Sequence, residues 1–179
     1  MANAQHFPLG WYLIYTRPRH EKKVAAELTE MEVVNLLPLT KQLRIWHDRK
    51  KYIEEPLFPS YVFVYLSDVR GYYSALGAKG VQYFVRYGKE IARVQESIIQ
   101  NIRIVVERGQ DVEVTSCKFV PGQQLVIREG PLTGLAGEVV EYNCKQMLLV
   151  RVNLLQRNIL VSMHAEKVMP AGQAALSYA

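Results

Sequence analysis

Cysteine is almost missing from this chain: Cys117 and Cys144 are the only two, and they lie far apart. That excludes a disulfide framework and a paired-cysteine metal knuckle, and it fits a reducing, cytoplasmic setting. Histidine is also sparse. His6, His20, His47 and His164 stand at no ligand spacing with cysteine or carboxylate, so no metal centre is expected. The chain has no G-x-x-x-x-G-K-[ST] phosphate loop and no G-x-S-x-G nucleophile elbow. Its adjacent carboxylates, Glu54 and Glu55, would point to opposite faces of a strand and could not share a proton. Neither catalysis nor a cofactor is expected. Long hydrophobic runs are absent too: none approaches the ~18 residues of a membrane span. The opening MANAQHFPLGWYLIYTRPRH has no basic stretch followed by a long apolar region, so neither a leader peptide nor a membrane partner is expected.

What is present is apolar content and unevenly placed charge. Hydrophobic residues make up 49% of 179, enough for one ordinary domain or two small ones. Residues 1–110 hold sixteen Lys/Arg against eleven Asp/Glu, whereas 111–179 hold six of each. The whole excess of +5 thus sits in the first part, which argues for two units with different partners. The alternative is a soluble basic protein with no polyanionic partner.

Along the chain, WYLIY (11–15) reads as a strand. Pro18 suits a first helical position, and Val24, Ala25, Leu28 and Met31 follow at helical spacing, predicting a helix over about 18–31. Residues 33–39 are extended, and 41–46 with 51–54 form a hairpin whose tip is HDRKK (47–51). A strand over 60–66 follows, then a helix over about 68–76 capped by Ser67 or Asp68, then extended VQYFVRYG. Ile98, Ile99, Ile102, Val105 and Val106 mark a third helix over 95–108. The polar stretch 109–116 reads as a linker. Beyond it, short apolar runs broken by Pro121-Gly122, Gly130-Pro131 and Tyr142-Asn143 predict a small β-barrel, with a frayed tail at 171–179. The expected fold is α+β in two domains: residues 1–108 as an α/β sandwich with a mainly antiparallel sheet and flanking helices, and 117–170 as an SH3-like barrel.

Within this frame EPLFPSYVFV (55–64) is unusual. Tyr61, Phe63 and Tyr65 fall on one side of an extended chain, and Val62, Val64 and Leu66 on the other. Such a strand needs cover on both faces, yet aromatic surface accumulates where it begins.

Together, WYLIYTRPRHEKKV, EEPLFPSYVFV, GVQYFVRYG and VPGQQLVIREGPLTGLAGEVVE resemble the NusG family of transcription elongation factors, from about Trp11 to Pro170. The first half is similar to its N-terminal domain and the second to its KOW domain. EPLFPSYVFV and FVRYG look closer to specialised paralogues of the RfaH, LoaP and UpxY kind, since the housekeeping factor usually has Gly where Ser60 stands. The resemblance implies an aromatic hollow for the tip of the RNA polymerase β′ clamp helices, built from Phe58, Pro59 and Tyr61, with Trp11 or Tyr12 and Tyr65 nearby. A concave aromatic patch suits a helical hairpin's apolar tip. The alternative is that these rings pack beneath the domain's own helices, the expectation for Phe63.

Around the start of the first helix lie Arg17, Arg19, His20, Lys22 and Lys23. Cations there oppose the helix macrodipole, so folding alone gives no reason to gather them. The hairpin adds Lys41, Arg44, Arg49, Lys50 and Lys51 around Trp46, and Arg86 with Tyr87 and Lys89 continues the theme. Arginine beside an aromatic suits phosphates and unstacked bases. The resemblance implies contact with the non-template DNA strand or a nascent RNA hairpin. It also implies an operon-specific antiterminator, acting as a monomer, whose KOW domain recruits a ribosomal protein or termination factor. A ribosome-associated KOW protein that binds RNA is the rival reading.

Overall fold

A computed structural model describes residues 9–45, 50–108, 112–115, 122, 124–127, 132–142, 145–152, 155, 157–162 and 168–170. The elements run β1 (Gly10–Thr16), α1 (Glu21–Glu30), β2 (Asn35–Leu36), β3 (Leu39–Ile45), β4 (Lys50–Pro56) and β5 (Tyr61–Leu66). Next come α2 (Val69–Gly77), β6 (Val81–Phe84), β7 (Arg86–Tyr87), β8 (Glu90–Ile91), β9 (Arg93–Val94) and α3 (Glu96–Arg108). The chain closes with β10 (Val112–Thr115), β11 (Gln124–Ile127), β12 (Ala136–Tyr142), β13 (Lys145–Val152), β14 (Arg157–Ser162) and β15 (Val168–Pro170). The fold is mixed α/β with antiparallel sheets and, among the described residues, three helices. It divides into two compact units, Met1–Glu96 and Ser97–Ala179.

In the first unit the sheet order is β2-β5-β1-β6, with β9 also on β1. Tyr12, Ile14, Val62, Val64, Leu66 and Phe84 share one core cluster with Val24 and Leu28 of α1 and Ala75 of α2. The helices therefore cover this face of the sheet. Strands β3 and β4 form a separate two-stranded hairpin, as do β7 and β8.

Helix α1 starts at Glu21, later than expected from Pro18. Arg19 adopts a left-handed φ of 63°, which no right-handed helix can contain, so Pro18 and Arg19 form the turn that enters it. Gly80, also at positive φ (110°), lies so close that an added Cβ would meet His20 and Val24 at 3.2 Å. Its carbonyl accepts from Arg17 N at 2.8 Å. Helix α2 begins as expected: the Asp68 carboxylate accepts from Gly71 N at 2.7 Å.

In the second unit six antiparallel strands run β10-β14-β13-β12-β11-β15. Val140, Met147, Leu149 and Leu160 form a buried cluster. Strand β14 lies within the stretch read as β-rich beyond the linker, and its Ile159, Leu160 and Val161 are fully buried. Among the described residues no pairing joins β10 to β15; the sheet is open along its path. Two observations bear on the expected boundaries. Residues 112–115, read as linker, form β10 and pair with 158–161. Helix α3, read with the first domain, groups with the second unit. There its Asn101 amide donates to Ala136 O at 3.1 Å and accepts from Ala136 N at 3.4 Å. The expected tail at 171–179 lies outside the described residues.

Candidate functional site

Register decides which aromatic rings meet. Strand β1 pairs with β5 so that Trp11 faces Tyr65, Leu13 faces Phe63 and Tyr15 faces Tyr61. Strand β6 adds Tyr83 opposite Tyr15. Because side chains alternate across a strand, all seven stand on the face away from α1 and α2. The result is three tiers. In the first, Trp11 and Tyr65 meet edge-on at 5.5 Å. In the second, Leu13 and Phe63 are fully buried, and Phe58 stands edge-on to Phe63 at 6.0 Å. In the third, Tyr61 meets Tyr15 edge-on at 5.2 Å, and Tyr15 stacks on Tyr83 at 5.1 Å.

Burial runs unevenly across these tiers. Trp11 is buried and Tyr65 half-buried; Tyr15 and Tyr61 are half-buried and Tyr83 is 54% exposed. Of the residues expected in an aromatic hollow, Pro59 is exposed and Tyr61 partly open. Phe58 is only 2% exposed and forms the floor under them. Tyr12 lies on the opposite face, in the core cluster with Val24 and Leu28, so of the pair Trp11 or Tyr12 only Trp11 joins the tiers. Burial pushes the Tyr12 phenol above its ordinary pKa, with the Arg93 charge opposing. Phe63 is fully buried, as expected of a core residue, but on the sheet face away from α1 and α2.

The turn that presents Pro59 and Tyr61 is closely held. Leu57 N donates to Pro38 O at 2.8 Å, Tyr61 N to Phe58 O at 3.2 Å, and Thr16 N to Ser60 O at 2.8 Å. Ser60 N donates to the Glu21 carboxylate at 2.7 Å.

The basic residues form a second site. Arg17, Arg19, Lys22 and Lys23 are exposed. His20 is half-buried, its Nδ1 3.1 Å from Pro18 O; a carbonyl can only accept, so this nitrogen is the donor. Lys22 Nζ donates to Glu54 O at 3.0 Å, bringing the start of α1 against β4. Between them opens a cleft of about 720 Å³ lined by Lys22, Lys41, Lys51, Tyr52, Ile53 and Glu54. Tyr52 is 69% exposed there. In the hairpin register Arg44 stands opposite Lys51 and Ile45 opposite Lys50. Arg49, with Trp46 and His47, lies outside the described residues. Arg86 is exposed in β7 and donates to Lys89 O at 3.3 Å; it is not among the residues that line this cleft.

Three rings escaped sequence reasoning: Tyr15 and Tyr83 in the aromatic tiers, and Tyr52 in the cleft. Alternation in WYLIY puts Tyr15 beside Trp11, but joining Tyr83 to them required the β1–β6 register.

A protein-family model described as transcription termination factor NusG matches residues 9–103, more than half of the chain. A transcription termination/antitermination protein NusG from Chlamydia trachomatis serovar D is 25% identical over 180 residues, 92% of this chain and 98% of that protein. The Chlamydia muridarum protein of the same name is 26% identical over 163 residues, 84% of this chain and 88% of its own. A solved structure, "Domain interaction in Thermotoga maritima NusG", covers 92% of this chain and 98% of its own, with TM-score 0.52 and 22% identity; it supports the fold. The family model and the relatives together define the class, a transcription termination/antitermination factor. The chain belongs to the NusG family.

Proposed function

We propose that this chain is a specialised, operon-specific antiterminator that binds elongating RNA polymerase and suppresses pausing and termination. The observation that carries this reading is the aromatic turn and its tiers. Pro59, Tyr61, Tyr15 and Tyr83 present apolar surface at one end of the sheet. Phe58 and Phe63 make a rigid floor beneath. Rigid rings lose little side-chain entropy on docking, which suits the apolar tip of the β′ clamp helices. Ser60 supports the specialised over the housekeeping reading: it occupies a left-handed conformation (φ 67°) where the housekeeping factor usually has Gly.

The second site takes nucleic acid, either the non-template DNA strand or a nascent RNA hairpin. Three lysines, Lys22, Lys41 and Lys51, line the cleft beside a single carboxylate residue, Glu54; an anionic partner offsets that excess of positive charge. Tyr52 at the cleft offers a stacking surface among lysines. The factor acts by differential binding, holding polymerase in its elongating state with no chemistry of its own.

Residues 1–108 form the polymerase-binding domain, a division supported by the family match, which ends within α3. Residues 117–170 act as the KOW domain that recruits a ribosomal protein or termination factor. Transcription through a terminator by purified polymerase is the direct test. The full chain should raise read-through on a template bearing its recruitment element; read-through unchanged across the native leader sequences would overturn the reading.

A further inference from the structure

Ser60 is an L-residue at φ 67°, a region that L side chains rarely occupy unless their surroundings impose it. It lies between exposed Pro59 and Tyr61, so its conformation sets how both are presented. Most bonds that hold the turn are backbone to backbone and are satisfied by β1, Pro38 and the turn itself. The bond from Ser60 N to Glu21 Oε1 is different: it is a side-chain bond, it is the shortest of the set at 2.7 Å, and it spans 39 positions. Both groups are removed from water, Glu21 at 5% and Ser60 at 8% exposure. A carboxylate in that position is unfavourable unless it is fully used. Here it accepts a charge-assisted bond and sits in the first turn of α1, where the helix favours an anion.

We propose that Glu21 is a positioning residue for the polymerase contact, locking Ser60 in its left-handed state and so fixing the presentation of Pro59 and Tyr61. This rests on the reading that the turn meets polymerase. Glu21 is also flanked by His20 and Lys22, at the start of the cationic helix. The same hydrogen bond therefore ties the aromatic turn to the first turn of α1, next to the cleft-lining Lys22. A ligand seated at either is met by groups already in place, and association loses less ordering entropy.

The test uses the full chain with Glu21→Met, which keeps size but removes the acceptor, and Glu21→Gln, which keeps an acceptor oxygen. Two quantities are read: hydrogen exchange at the Ser60 amide, and affinity for core RNA polymerase. For Glu21→Met we expect Ser60 exchange to accelerate and polymerase affinity to fall about tenfold through lost preorganisation. Glu21→Gln should restore both to within about twofold, a rescue that a purely volumetric role would not distinguish from Met. Should Glu21→Met fail to fold, Glu21→Asp takes its place, since it draws the carboxylate back from Ser60 N by one methylene, with the same expected and overturning results. Faster Ser60 exchange with unchanged affinity, in a chain where Tyr61→Ala does weaken binding, overturns the positioning role. If Tyr61→Ala leaves affinity unchanged as well, it is the polymerase reading that falls. Unaltered Ser60 exchange in Glu21→Met also overturns the proposal.

Discussion

Tyr15 and Tyr83 stack with ring centroids 5.1 Å apart and planes 17° from parallel, and Tyr61 closes on the other side of Tyr15 at 69°. The half-buried Tyr15 thus stands between two rings that are more or equally open to solvent, at the end of a sheet whose centre is sealed.

Truncating this tier should separate binding from folding. Tyr15→Ala and Tyr61→Ala are each expected to weaken polymerase binding by about 2 kcal/mol, near 30-fold, with thermal midpoints close to the parent. Phe58→Ala should behave differently, because it empties a buried site and costs about 3–5 kcal/mol of stability. Binding titrations beside thermal melts tell the two apart; a stable Phe58→Ala chain that has lost only binding would move Phe58 from floor to contact.

The cleft is expected to show its ligand through salt. Replacing Lys22, Lys41 and Lys51 together by Ala should lower the log–log salt slope for a single-stranded oligonucleotide by about 0.7 per lost phosphate contact. Tyr52→Ala should cost about 1–3 kcal/mol of binding with little change in slope, the signature of stacking. Titrating single-stranded DNA and an RNA hairpin across several salt concentrations measures both effects. Equal slopes for parent and triple variant would leave the lysines as solvated side chains.

Acid should loosen the second unit through one ion pair. Arg151 binds Glu138 with both Nε and Nη2 at 2.9 Å, and Gly122 N adds a bond at 3.3 Å. The Arg151 hydrogen bond first, then the Gly122 bond, hold the Glu138 carboxyl below its ordinary value of 4.5 against the opposing effect of burial. A depressed folded-state pKa contributes stability that is whole above the ordinary value and lost as pH falls through the lowered one. Glu138→Gln should cost about 1–2 kcal/mol at neutral pH and flatten this acid dependence. Denaturation midpoints measured from about pH 7 down to about pH 3 report it.

Two glycines give a paired test of packing. A Cβ on Gly137 would lie 2.5 Å from Leu149 O and 3.0 Å from Leu148 Cγ, whereas one on Gly77 meets nothing within 4 Å. Gly137→Ala is expected to cost about 2 kcal/mol or more by forcing β12 from β13. Gly77→Ala, at the end of α2, should be neutral or stabilising by up to about 1 kcal/mol. Thermal melts of the two variants settle it.

Local patterns were readable in the sequence, and long-range register was not. Ser67-Asp68 before Val69 announced α2 through its cap. Ile98, Ile99, Ile102 and Val105 announced α3 through their period. In the second half, short apolar runs such as Ile159-Leu160-Val161 announced strands. The start of α1 was misplaced because Pro18 fits a first helical turn, while the left-handed Arg19 that interrupts it leaves no mark in residue types. The aromatic cluster was legible as composition around Phe58 and Tyr61. Its geometry depends on which strand lies beside β1, so residue types alone single out neither Tyr83 nor Tyr15 and leave Trp11 or Tyr12 open, whereas Tyr12 sits in the core cluster with Val24 and Leu28. Likewise the cleft needed Lys22 to meet Glu54 across the chain, a contact that no local window contains.

The two bonds between Asn101 and Ala136 bear on how this protein can be cut. A side-chain amide that both donates to and accepts from one backbone residue does the work of a neighbouring strand at the start of β12. A C-terminal fragment beginning at 109, the boundary suggested by composition, would remove that amide and leave the Ala136 N–H and C=O to find water or another molecule's edge. A fragment beginning at 97 keeps it. Limited proteolysis of the whole chain should accordingly spare the α3 side of the second unit, and of the two C-terminal fragments the one beginning at 97 should be the more stable.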